Sequence, residues 1–474
     1  MTMMTSYVLS IDLGSTACKV LIFNEKGDVI SRTECSYPLY TPRPGYAEED
    51  PLAWKTSVFD SIRKVLLKSG LPASSIDGIV VTGQAISLTP IDKRGNPIKS
   101  AILTFMDSRT DSIRREIAPR YSMNYPEMMV FSTLIWMREK EKPVYEKMDK
   151  IIDARNFIIF LLTNRVTYDA ISIPKERMEF LSKEFGFDLD LFGDAHSNYF
   201  NRVGETTREV EERLGIPQGT PVFLAPWDGM CNVIGSGLIK DGIAMDVTGT
   251  TEIIATAVSK RASIVTHKHL IEGLWLVYMS TPLAIAHRWF VEKILEGREL
   301  NGLSTYDIVD YLSEKAEIQK TPIFLPTFKG EYFKPNLKGA VIGLDFDTDS
   351  RHLARSIMEG VSFYVRMKLE YFEENGLHIS EVITSGGGAK SRIWNQIKAD
   401  IFKRSVKIPH TTETASLGAA MIAFTALRKY SSLTDAIKSM LRIKEIFHPK
   451  KEVSKIYEEK YRRFKLLYNF MSEL

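Results

Sequence analysis

Short apolar runs separated by turn signals fill the first forty residues. The segments SYVLSID (6–12) and KVLIFNEKGDVISRTECSY (19–37) predict three strands, with hairpin chemistry in the Lys-Gly-Asp around Gly27. A helix is predicted for DPLAWKTSVFDSIRKVLLKSG (50–70), because this segment begins with Asp-Pro, spaces apolar residues at helical intervals and ends at Gly70. The pattern therefore predicts an α/β fold.

Strands and helices continue to alternate along the rest of the chain. IDGIVVTGQ (76–84) predicts a buried strand, helical patterns fill much of 108–214, and TPVFLAPWDGMCNVIGSG (220–237) predicts a strand that runs into a helix start. EVITSGGGAKSRIWNQIKADIF (381–402) predicts a strand, a triple-glycine turn and a helix. KKEVSKIYEEKYRRFKLLYNF (450–470) has the apolar spacing of a packing helix with a charged outer face.

The second half of the chain begins like the first. GIAMDVTGTTEIIATAVS (242–259) and YVLSIDLGSTACKVLIFN (7–24) both place an Asp near the end of one apolar strand. Glycine and two hydroxyl residues follow in each, and then a second apolar strand. This short match indicates a duplicated unit, but two ordinary hairpins are an equal alternative.

Length and charge limit the classes of protein that fit. A chain of 474 residues is too long for one ordinary core, so two domains are expected. The 62 basic and 59 acidic residues nearly cancel, which gives no general case for nucleic-acid binding. The three cysteines are odd in number and widely spaced, which indicates a reducing compartment and predicts no metal cluster. With no signal-peptide pattern and no apolar run long enough for a bilayer, we expect a cytoplasmic protein without a membrane partner.

The turn after the first strand has the residue types of a phosphate site. Glycine and small hydroxyl residues at a strand end expose backbone N–H groups, and Lys19 could add positive charge. Asp12 would repel a bare phosphate, but it suits a nucleotide that carries Mg²⁺, which prefers carboxylate and phosphate oxygens. The alternative is a tight hairpin with a capping Asp.

The triple-glycine segment SGGGAKS (385–391) fits neither of two better-known nucleotide loops. Its second glycine is misplaced for G-x-x-x-x-G-K-[ST], and Ser391 stands where G-x-G-x-x-G needs its third glycine. Such a turn still allows a flat ligand such as adenosine to lie against the backbone. A loose strand-to-helix turn is the alternative.

These motifs together resemble the FGGY family of carbohydrate kinases, in the actin-like ATPase superfamily. The resemblance covers nearly the whole chain in order, through the segments DLGSTACK, PRPGYAEEDPLAW, GQAISLTPIDKRGNPIKSAILTFMDSR, APWDGMCNVIGSG, DVTGTTE, IFLPTFKGEYFKP, GAVIGLDFDTDSRHLARSIMEG, SGGGAKSRIWNQIKAD and TASLGAAMIAF. It implies two RNase H-like domains, over 1–238 and 239–474, with a cleft between them for ATP and Mg²⁺, and a sugar or polyol as the second substrate. Homodimers are common among such kinases, so a homodimer is one candidate assembly, but the sequence itself does not give the oligomeric state.

The resemblance also assigns roles to residues. Asp228 would be the catalytic base and would contact the sugar, and Asp12 would help to hold the hydrated Mg²⁺. The remaining expected nucleotide contacts are Gly14, Ser15, Thr16, Lys19, Gly249, Thr250, Thr251, Gly387, Gly388 and Ala389. The remaining expected substrate contacts are Gln84, Ala85, Ile86 and Asp107.

Departures from the family pattern leave the sugar open. Many xylulose kinases have Met-His after the glutamine of the GQ motif and glycerol kinases have Arg-Glu, whereas this chain has Ala85 and Ile86. Gly229 after the expected base is frequent in gluconate kinases. We expect a ketopentose such as xylulose, with gluconate or another polyol as the alternative. A different class, a sugar-independent actin-like ATPase or regulatory homologue, stays open as well.

Overall fold

The chain divides into two units that alternate along the sequence. The computed structural model describes residues 5–103, 105–249, 251–281, 283, 285–296, 305–328 and 337–473. The first unit consists of Met1–Gly235 and Ala415–Met440, and the second of Ser236–Thr414 and Leu441–Leu474. The segment 415–440 therefore returns to the unit in which the chain began. The predicted domain limits, 1–238 and 239–474, stay a prediction.

Strands and helices alternate up to Gly235. The strands are β1 (Tyr7–Leu13), β2 (Ala17–Asn24), β3 (Val29–Ser36), β4 (Glu48–Glu49), β5 (Ile76–Gly83), β6 (Ser87–Ile91), β7 (Ala101–Leu103), β8 (Lys150–Asp153), β9 (Thr167–Asp169), β10 (Asp194–His196), β11 (Gly204–Glu205) and β12 (Pro221–Leu224). The helices are α1 (Pro51–Ser69), α2 (Asp111–Arg120), α3 (Tyr125–Lys140), α4 (Lys142–Lys147), α5 (Ala154–Thr163), α6 (Lys175–Phe185), α7 (Arg208–Leu214) and α8 (Asp228–Gly235).

The same alternation continues from Gly242. The strands are β13 (Gly242–Thr248), β14 (Glu252–Val258), β15 (His267–Lys268), β16 (Trp275–Thr281), β17 (Ile323–Leu325), β18 (Ala340–Ile342), β19 (Ile379–Gly386), β20 (Ser405–Pro409) and β21 (Ile443–Phe447). The helices are α9 (Ile285–Trp289), α10 (Thr305–Glu314), α11 (Ser350–Glu374), α12 (Arg392–Phe402), α13 (Thr414–Ala426), α14 (Leu433–Met440) and α15 (Lys451–Glu473). No helix in the described ranges is both long enough and apolar enough to cross a membrane.

Local sequence signals set the ends of α1 where they were predicted. The Asp50 side chain accepts a hydrogen bond from the backbone N–H of Leu52, and Pro51 occupies the first helical turn. Gly70 ends the helix with a φ of 67°, a left-handed conformation that glycine adopts without strain. Trp54 and neighbouring apolar side chains of one face are buried beneath the sheet strands. The predicted helix is confirmed.

The main sheet of the first unit joins an antiparallel meander to two parallel strands. Its order among the described residues is β11-β12-β5-β1-β2-β3. β1 pairs antiparallel with β2 and parallel with β5, and β5 pairs parallel with β12. The carboxyl ends of β1, β5 and β12 therefore lie side by side at one edge of the sheet.

The second unit repeats this order. Its described strands form a sheet β15-β16-β14-β13-β19-β20-β21, in which β13, β14 and β16 form the meander and β19 and β20 are the parallel strands. Five strands of each sheet thus follow the same order and directions. The half-repeat in the sequence is therefore the trace of two α/β units with one topology.

The two aspartates of the half-repeat do not occupy equivalent positions. Asp12 stands two residues before Gly14, whereas Asp246 stands three residues before Gly249. Because strand side chains alternate between the two faces, this one-residue offset places them on opposite faces of their own sheets. Asp12 is partly exposed, while Asp246 is fully buried and accepts a 2.6 Å hydrogen bond from Lys398 Nζ.

The last helix packs as the sequence pattern predicted. α15 buries Tyr457, Tyr461, Phe464 and Tyr468 on one face. The Phe363 ring of α11 lies 5.5 Å from the Phe464 ring and 6.0 Å from that of Tyr457, measured between centroids. The aromatic stripe is therefore part of the core of the second unit.

The returning helix α13 packs against α8 at a glycine. A Cβ at Gly418 would lie 2.0 Å from the backbone oxygen of Cys231 and 2.9 Å from the amide nitrogen of Gly235. Both contacts are backbone atoms, so only displacement of one helix could accommodate a methyl group. Gly418 therefore sets how closely α8 and α13 approach.

Gly418→Ala should lower the free energy of unfolding by about 1–3 kcal/mol, the usual cost of overpacking a core. It should also lower turnover, because α8 begins at Asp228. Urea unfolding and steady-state kinetics measure the two effects. A variant with the stability of the parent protein would contradict the close approach of the two helices.

Candidate functional site

Three parallel strands of the first unit deliver polar residues to one edge. Asp12 lies in the register of Thr82 between β1 and β5, and Val81 lies opposite Leu224 between β5 and β12. Gln84 directly follows β5, and Asp228 follows β12 as the first residue of α8. Since carboxyl ends of adjacent parallel strands form a shared edge, ligands of α/β folds bind there. The fold thus brings Asp12, Gln84 and Asp228 together.

The turn from Gly14 to Ala17 is a tight hairpin between β1 and β2. The Gly14 N–H donates to the carbonyl oxygen of Ala17 over 3.1 Å, and the Tyr37 hydroxyl donates to the Gly14 carbonyl. Ser15 and Thr16 are partly exposed at its tip. This turn offers small residues, two hydroxyls and backbone groups to a ligand at the sheet edge.

Lys19 lies directly opposite Asp12 in the β1–β2 ladder. Directly opposed side chains project from the same face of a sheet, so the ammonium and carboxylate groups share the edge. The charge of Lys19 also lowers the pKa of Asp228, which places this lysine within electrostatic reach of the start of α8. The structure therefore gives Lys19 two acidic neighbours, Asp12 and Asp228.

Asp228 is held where β12 passes into α8. The Thr82 hydroxyl donates a 2.6 Å hydrogen bond to the carbonyl of Pro226, which fixes the bend before the helix. The Gly229 N–H donates to Asp228 Oδ1 over 2.7 Å, and the carboxylate stands in the first helical turn, where the helix dipole favours negative charge.

Burial raises the pKa of Asp228 to about 6, against the lowering effects of the Gly229 N–H and of the charges on Arg155 and Lys19. The cause is desolvation, which penalises the charged form and which a strand pattern does not reveal. A carboxylate with a raised pKa is a stronger base once it is ionised.

Two carboxylates of this edge act on one buried thiol. Burial raises the pKa of the Cys231 thiol, and the negative charges of Asp12 and Asp228 both raise it further. Both carboxylates are therefore within electrostatic reach of the same sulfur atom. Carboxylate oxygens are among the ligands that Mg²⁺ prefers, so Asp12 beside the predicted phosphate turn fits that ion, while the described residues hold no group of three or more His, Cys, Asp or Glu side chains that would bind a metal without a ligand.

Arg155 of α5 is a buried residue of the site that sequence analysis missed. Its Nη1 donates to the carbonyl oxygen of Ala225 over 3.1 Å, and its Nη2 contacts Asp153 at 3.1 Å and Asp169 at 3.3 Å. It thereby supports the segment that leads to Asp228. No local signal marks it, because its partner Ala225 lies 70 residues away and it stands in the first turn of an apolar helix.

Gln84 is anchored beside the phosphate turn. Its backbone N–H donates to the Leu13 carbonyl over 2.8 Å, and its side-chain Nε2 donates to Glu49 Oε2 over 2.9 Å. The same Glu49 oxygen accepts from Trp54 Nε1 over 2.7 Å. Burial raises the pKa of Glu49 to about 7 in spite of these two hydrogen bonds. Glu49 was not among the predicted site residues.

The two residues after Gln84 differ in their conformations. Ala85 is partly exposed, and Ile86 is buried with a φ of 53°. A positive φ is rare for a β-branched residue, so the backbone between β5 and β6 is strained here. Strain of this kind concentrates at ligand sites, which supports the prediction that this segment meets a substrate.

Asp107 is enclosed within its own loop. Its Oδ2 accepts a 2.7 Å hydrogen bond from the Ala47 N–H, and both of its carboxylate oxygens accept from Arg109. The Arg109 guanidinium also contacts Glu48 at 2.8 Å. These contacts give Asp107 a structural task, and a role in binding the substrate stays a prediction.

The second unit carries the other predicted nucleotide residues. The Gly249 N–H donates to the carbonyl of Thr251 over 3.0 Å across the β13–β14 turn, and Thr250 lies outside the described residues. Residues 329–335, the last part of the motif segment IFLPTFKGEYFKP, also lie outside them. Gly249 and Thr251 therefore form a hairpin like that at Gly14.

The triple-glycine turn lies against this hairpin. A Cβ at Gly388 would lie 2.7 Å from the Thr248 Cβ, so only glycine allows so close an approach. Gly387 precedes a short 3-10 turn over Gly388–Lys390, in which Ala389 is buried. The fold brings the predicted phosphate and adenosine segments of the second unit together.

A buried ionic group lies beneath the same hairpin. Lys398 Nζ donates to Asp246 over 2.6 Å and to the Thr248 hydroxyl over 2.7 Å, and the Thr248 hydroxyl donates to Glu252 over 2.9 Å. These charged side chains are fully buried. The group fixes both strands of the hairpin and was not predicted.

Comparison with known proteins decides the family. The N-terminal domain model of the FGGY family of carbohydrate kinases matches residues 7–184, and the C-terminal domain model matches residues 248–427. The chain belongs to the FGGY family of carbohydrate kinases. Its enzyme class is therefore that of a sugar kinase, and the resemblance found in the sequence is confirmed.

Relatives and solved structures agree with membership of this kinase family. A xylulose kinase of Staphylococcus epidermidis is 25% identical, with 100% of this chain and 98% of the relative covered. A gluconokinase of Bacillus subtilis is 25% identical over 92% of this chain and 91% of the relative. A ligand-bound xylulose kinase from Lactobacillus acidophilus is 21% identical, covers 98% of both chains and has a TM-score of 0.82. This likeness shows the two-domain actin-like ATPase fold.

Asp228→Asn should make the kinase more stable at pH 8 than the parent, with a smaller difference at pH 5. The carboxyl has a pKa of about 6 in the folded protein and an ordinary value near 3.8 when unfolded. The folded state therefore binds more protons between these values, so stability is lost as pH rises from about 4 through 6. The Asp228→Asn variant, whose side chain is an uncharged amide, does not lose this stability as the pH rises. Urea unfolding at both pH values measures the difference.

Asp107→Asn provides the matched control, because this aspartate is buried but paired with Arg109. It should destabilise the protein at pH 8, since one partner of a buried pair is lost. A destabilising Asp228→Asn at pH 8 would contradict the raised pKa.

Proposed function

We propose that this kinase transfers the γ-phosphoryl group of ATP to a hydroxyl of a small neutral sugar, with a ketopentose such as xylulose as the first candidate. The observation that carries the proposal is the position of Asp228, a desolvated carboxylate at the strand edge that also holds Asp12, Lys19 and Gln84. Family membership alone does not assign the donor ATP, the metal or the particular sugar, so these assignments are part of the proposal.

Asp228 acts as the general base. A sugar hydroxyl is a poor nucleophile, and it must lose its proton as it attacks the γ-phosphorus. In a loose transition state that proton leaves late, so a carboxylate that orients the hydroxyl and then accepts the proton suffices. The Arg155 contact to Ala225 and the Thr82 contact to Pro226 keep the carboxylate in place.

Asp12 would help to hold the Mg²⁺ that accompanies ATP. When bound, the ion would neutralise charge on the phosphate oxygens. Gly14, Ser15 and Thr16 bind phosphate through the exposed turn, and Lys19 adds a positive charge beside it. In the second unit, the hairpin at Gly249, Thr250 and Thr251 takes phosphate, and the turn at Gly387, Gly388 and Ala389 lies along the adenosine.

Two groups of relatives point to two candidate substrates, and the residues of the site rank them. Xylulose kinases and gluconokinases both match at about 25% identity over nearly the whole chain. The substrate-side residues Gln84, Ala85 and Ile86 include no cation that would pair with the carboxylate of gluconate, and Glu49 lies behind Gln84. This favours the neutral ketopentose, with gluconate as the alternative.

ADP release from ATP across a panel of ketopentoses, aldonates, glycerol and tetritols tests the proposal. We expect release that depends on the sugar and is fastest with a ketopentose. Fastest release with gluconate would support the alternative. Release that is the same with and without sugar would contradict a kinase reaction and would indicate a sugar-independent ATPase.

Asp228→Asn should lower kcat by about 10²- to 10⁴-fold, the usual contribution of a positioned base. ATP affinity should stay nearly unchanged, because the amide keeps the shape of the side chain but cannot accept the proton. In the parent enzyme, kcat/KM for the sugar should fall below pH of about 6, where Asp228 becomes protonated. Near-normal turnover of the variant would remove Asp228 from this role.

Asp12→Asn should weaken Mg²⁺-dependent turnover by about 10- to 100-fold, as expected for a group that orients the shell of a metal. Binding of metal-free ATP should change much less, since Asp12 acts on the ion and not on adenosine. Titration of Mg²⁺ in the kinetic assay and calorimetry with EDTA present separate the two effects. Equal losses in both would point to a role in folding at the strand end.

A further inference from the structure

Two buried oxygens beside the proposed sugar site have no hydrogen-bond partner in the described part of the chain. They are Glu49 Oε1 and Gln84 Oε1. Glu49 is 0% exposed and Gln84 is 3% exposed. Buried polar atoms in proteins are nearly always satisfied, so each such oxygen calls for a partner that comes from outside the chain.

The two side chains are fixed relative to each other. Gln84 Nε2 and Trp54 Nε1 both donate to the other carboxylate oxygen of Glu49, over 2.9 and 2.7 Å. The amide nitrogen of Gln84 and one oxygen of Glu49 are therefore already used. What remains on each side chain is one acceptor, and the pair offers these two acceptors together.

The pair lies next to the turn assigned to phosphate binding. The Gln84 backbone is hydrogen-bonded to Leu13, which immediately precedes the Gly14 turn. Burial raises the pKa of Tyr37, whose hydroxyl donates to the Gly14 carbonyl, and the charge of Glu49 raises it further. Because Gln84 directly follows β5, the pair adjoins the sheet edge at which Asp228 follows β12.

We infer that Glu49 and Gln84 form an acceptor pair that binds hydroxyl groups of the sugar, and that Glu49 thereby selects neutral polyols and ketoses against aldonates. Hydroxyl groups can donate to both oxygens. The carboxylate of an aldonate brings only acceptors and a like charge, which a buried carboxylate disfavours. This inference rests on the proposed sugar kinase function and names the substrate class of that site.

Arg109 of the same loop is already engaged by other acids. It ends the motif segment GQAISLTPIDKRGNPIKSAILTFMDSR, and its side chain is 1% exposed and contacts both Asp107 and Glu48. Its guanidinium also lies over the Tyr46 ring, 3.8 Å from the centroid. An aldonate would therefore have to break this cluster to gain an ion pair with Arg109.

Glu49→Gln tests the inference, because the amide oxygen can still accept from Trp54 and Gln84 while an NH₂ group replaces the acceptor. Calorimetry with D-xylulose and with D-gluconate, without nucleotide and at pH 8, gives two dissociation constants. The parent carboxyl is ionised there, since its pKa is about 7. We expect affinity for xylulose to fall about 10- to 100-fold, the range for a hydrogen bond to a charged group, and affinity for gluconate not to fall.

Two further variants separate selectivity from folding. Glu49→Asp keeps the charge but withdraws it from Gln84, so it should weaken xylulose binding and still exclude gluconate. Glu127→Gln alters another buried glutamate, which pairs with Arg177, and should lower stability without changing the ratio of the two affinities. Thermal unfolding shows whether each variant is folded.

The outcomes distinguish this inference from the proposed function. A parent enzyme that releases ADP with a sugar, and a folded Glu49→Gln variant with an unchanged affinity ratio, would overturn the inference alone. Gluconate binding to the parent as tightly as xylulose would overturn it too. A parent enzyme that binds neither compound and shows no sugar-dependent ADP release would overturn both.

Discussion

The parallel pairing of β1, β5 and β12 is the constraint on which the site depends. It places the end of each strand at one edge, and the register of Asp12 with Thr82 fixes which side chains face that edge. A shift by one residue would turn each strand side chain to the other face. Asp246 illustrates this dependence. It is offset by one residue from the position that corresponds to Asp12, and its side chain therefore lies in the core beside Lys398.

Burial without full pairing distinguishes the acids of the site from the other buried acids. Burial raises the pKa of Asp228 and of Glu49, whose partners do not offset the loss of water. Asp107 and Asp246 are buried too, but each contacts a basic side chain. The unfavourable ionisation of the first two lowers stability, which is the usual compromise of a site that must act on a ligand.

Local signals sufficed for much of the fold and for part of the site. The caps at Asp50 and Gly70, the hairpin at Gly14 and the strand-to-helix passage at Asp228 each depend on adjacent residues, so the sequence pattern predicts them. The partnership of Glu49 with Gln84 spans 35 residues, and the Arg155 contact to Ala225 spans 70. Neither of these leaves a periodic signal. The return of 415–440 to the first unit likewise depends on contacts across the chain.

A crystal structure of the kinase with D-xylulose and a non-hydrolysable ATP analogue tests the central claim most directly. The account predicts one sugar hydroxyl within about 2.6–3.2 Å of the Asp228 carboxylate, the reach of a general base. It also predicts other hydroxyls at the free oxygens of Glu49 and Gln84. A sugar bound away from the carboxyl ends of β1, β5 and β12, with Asp228 out of reach of every hydroxyl, would contradict it.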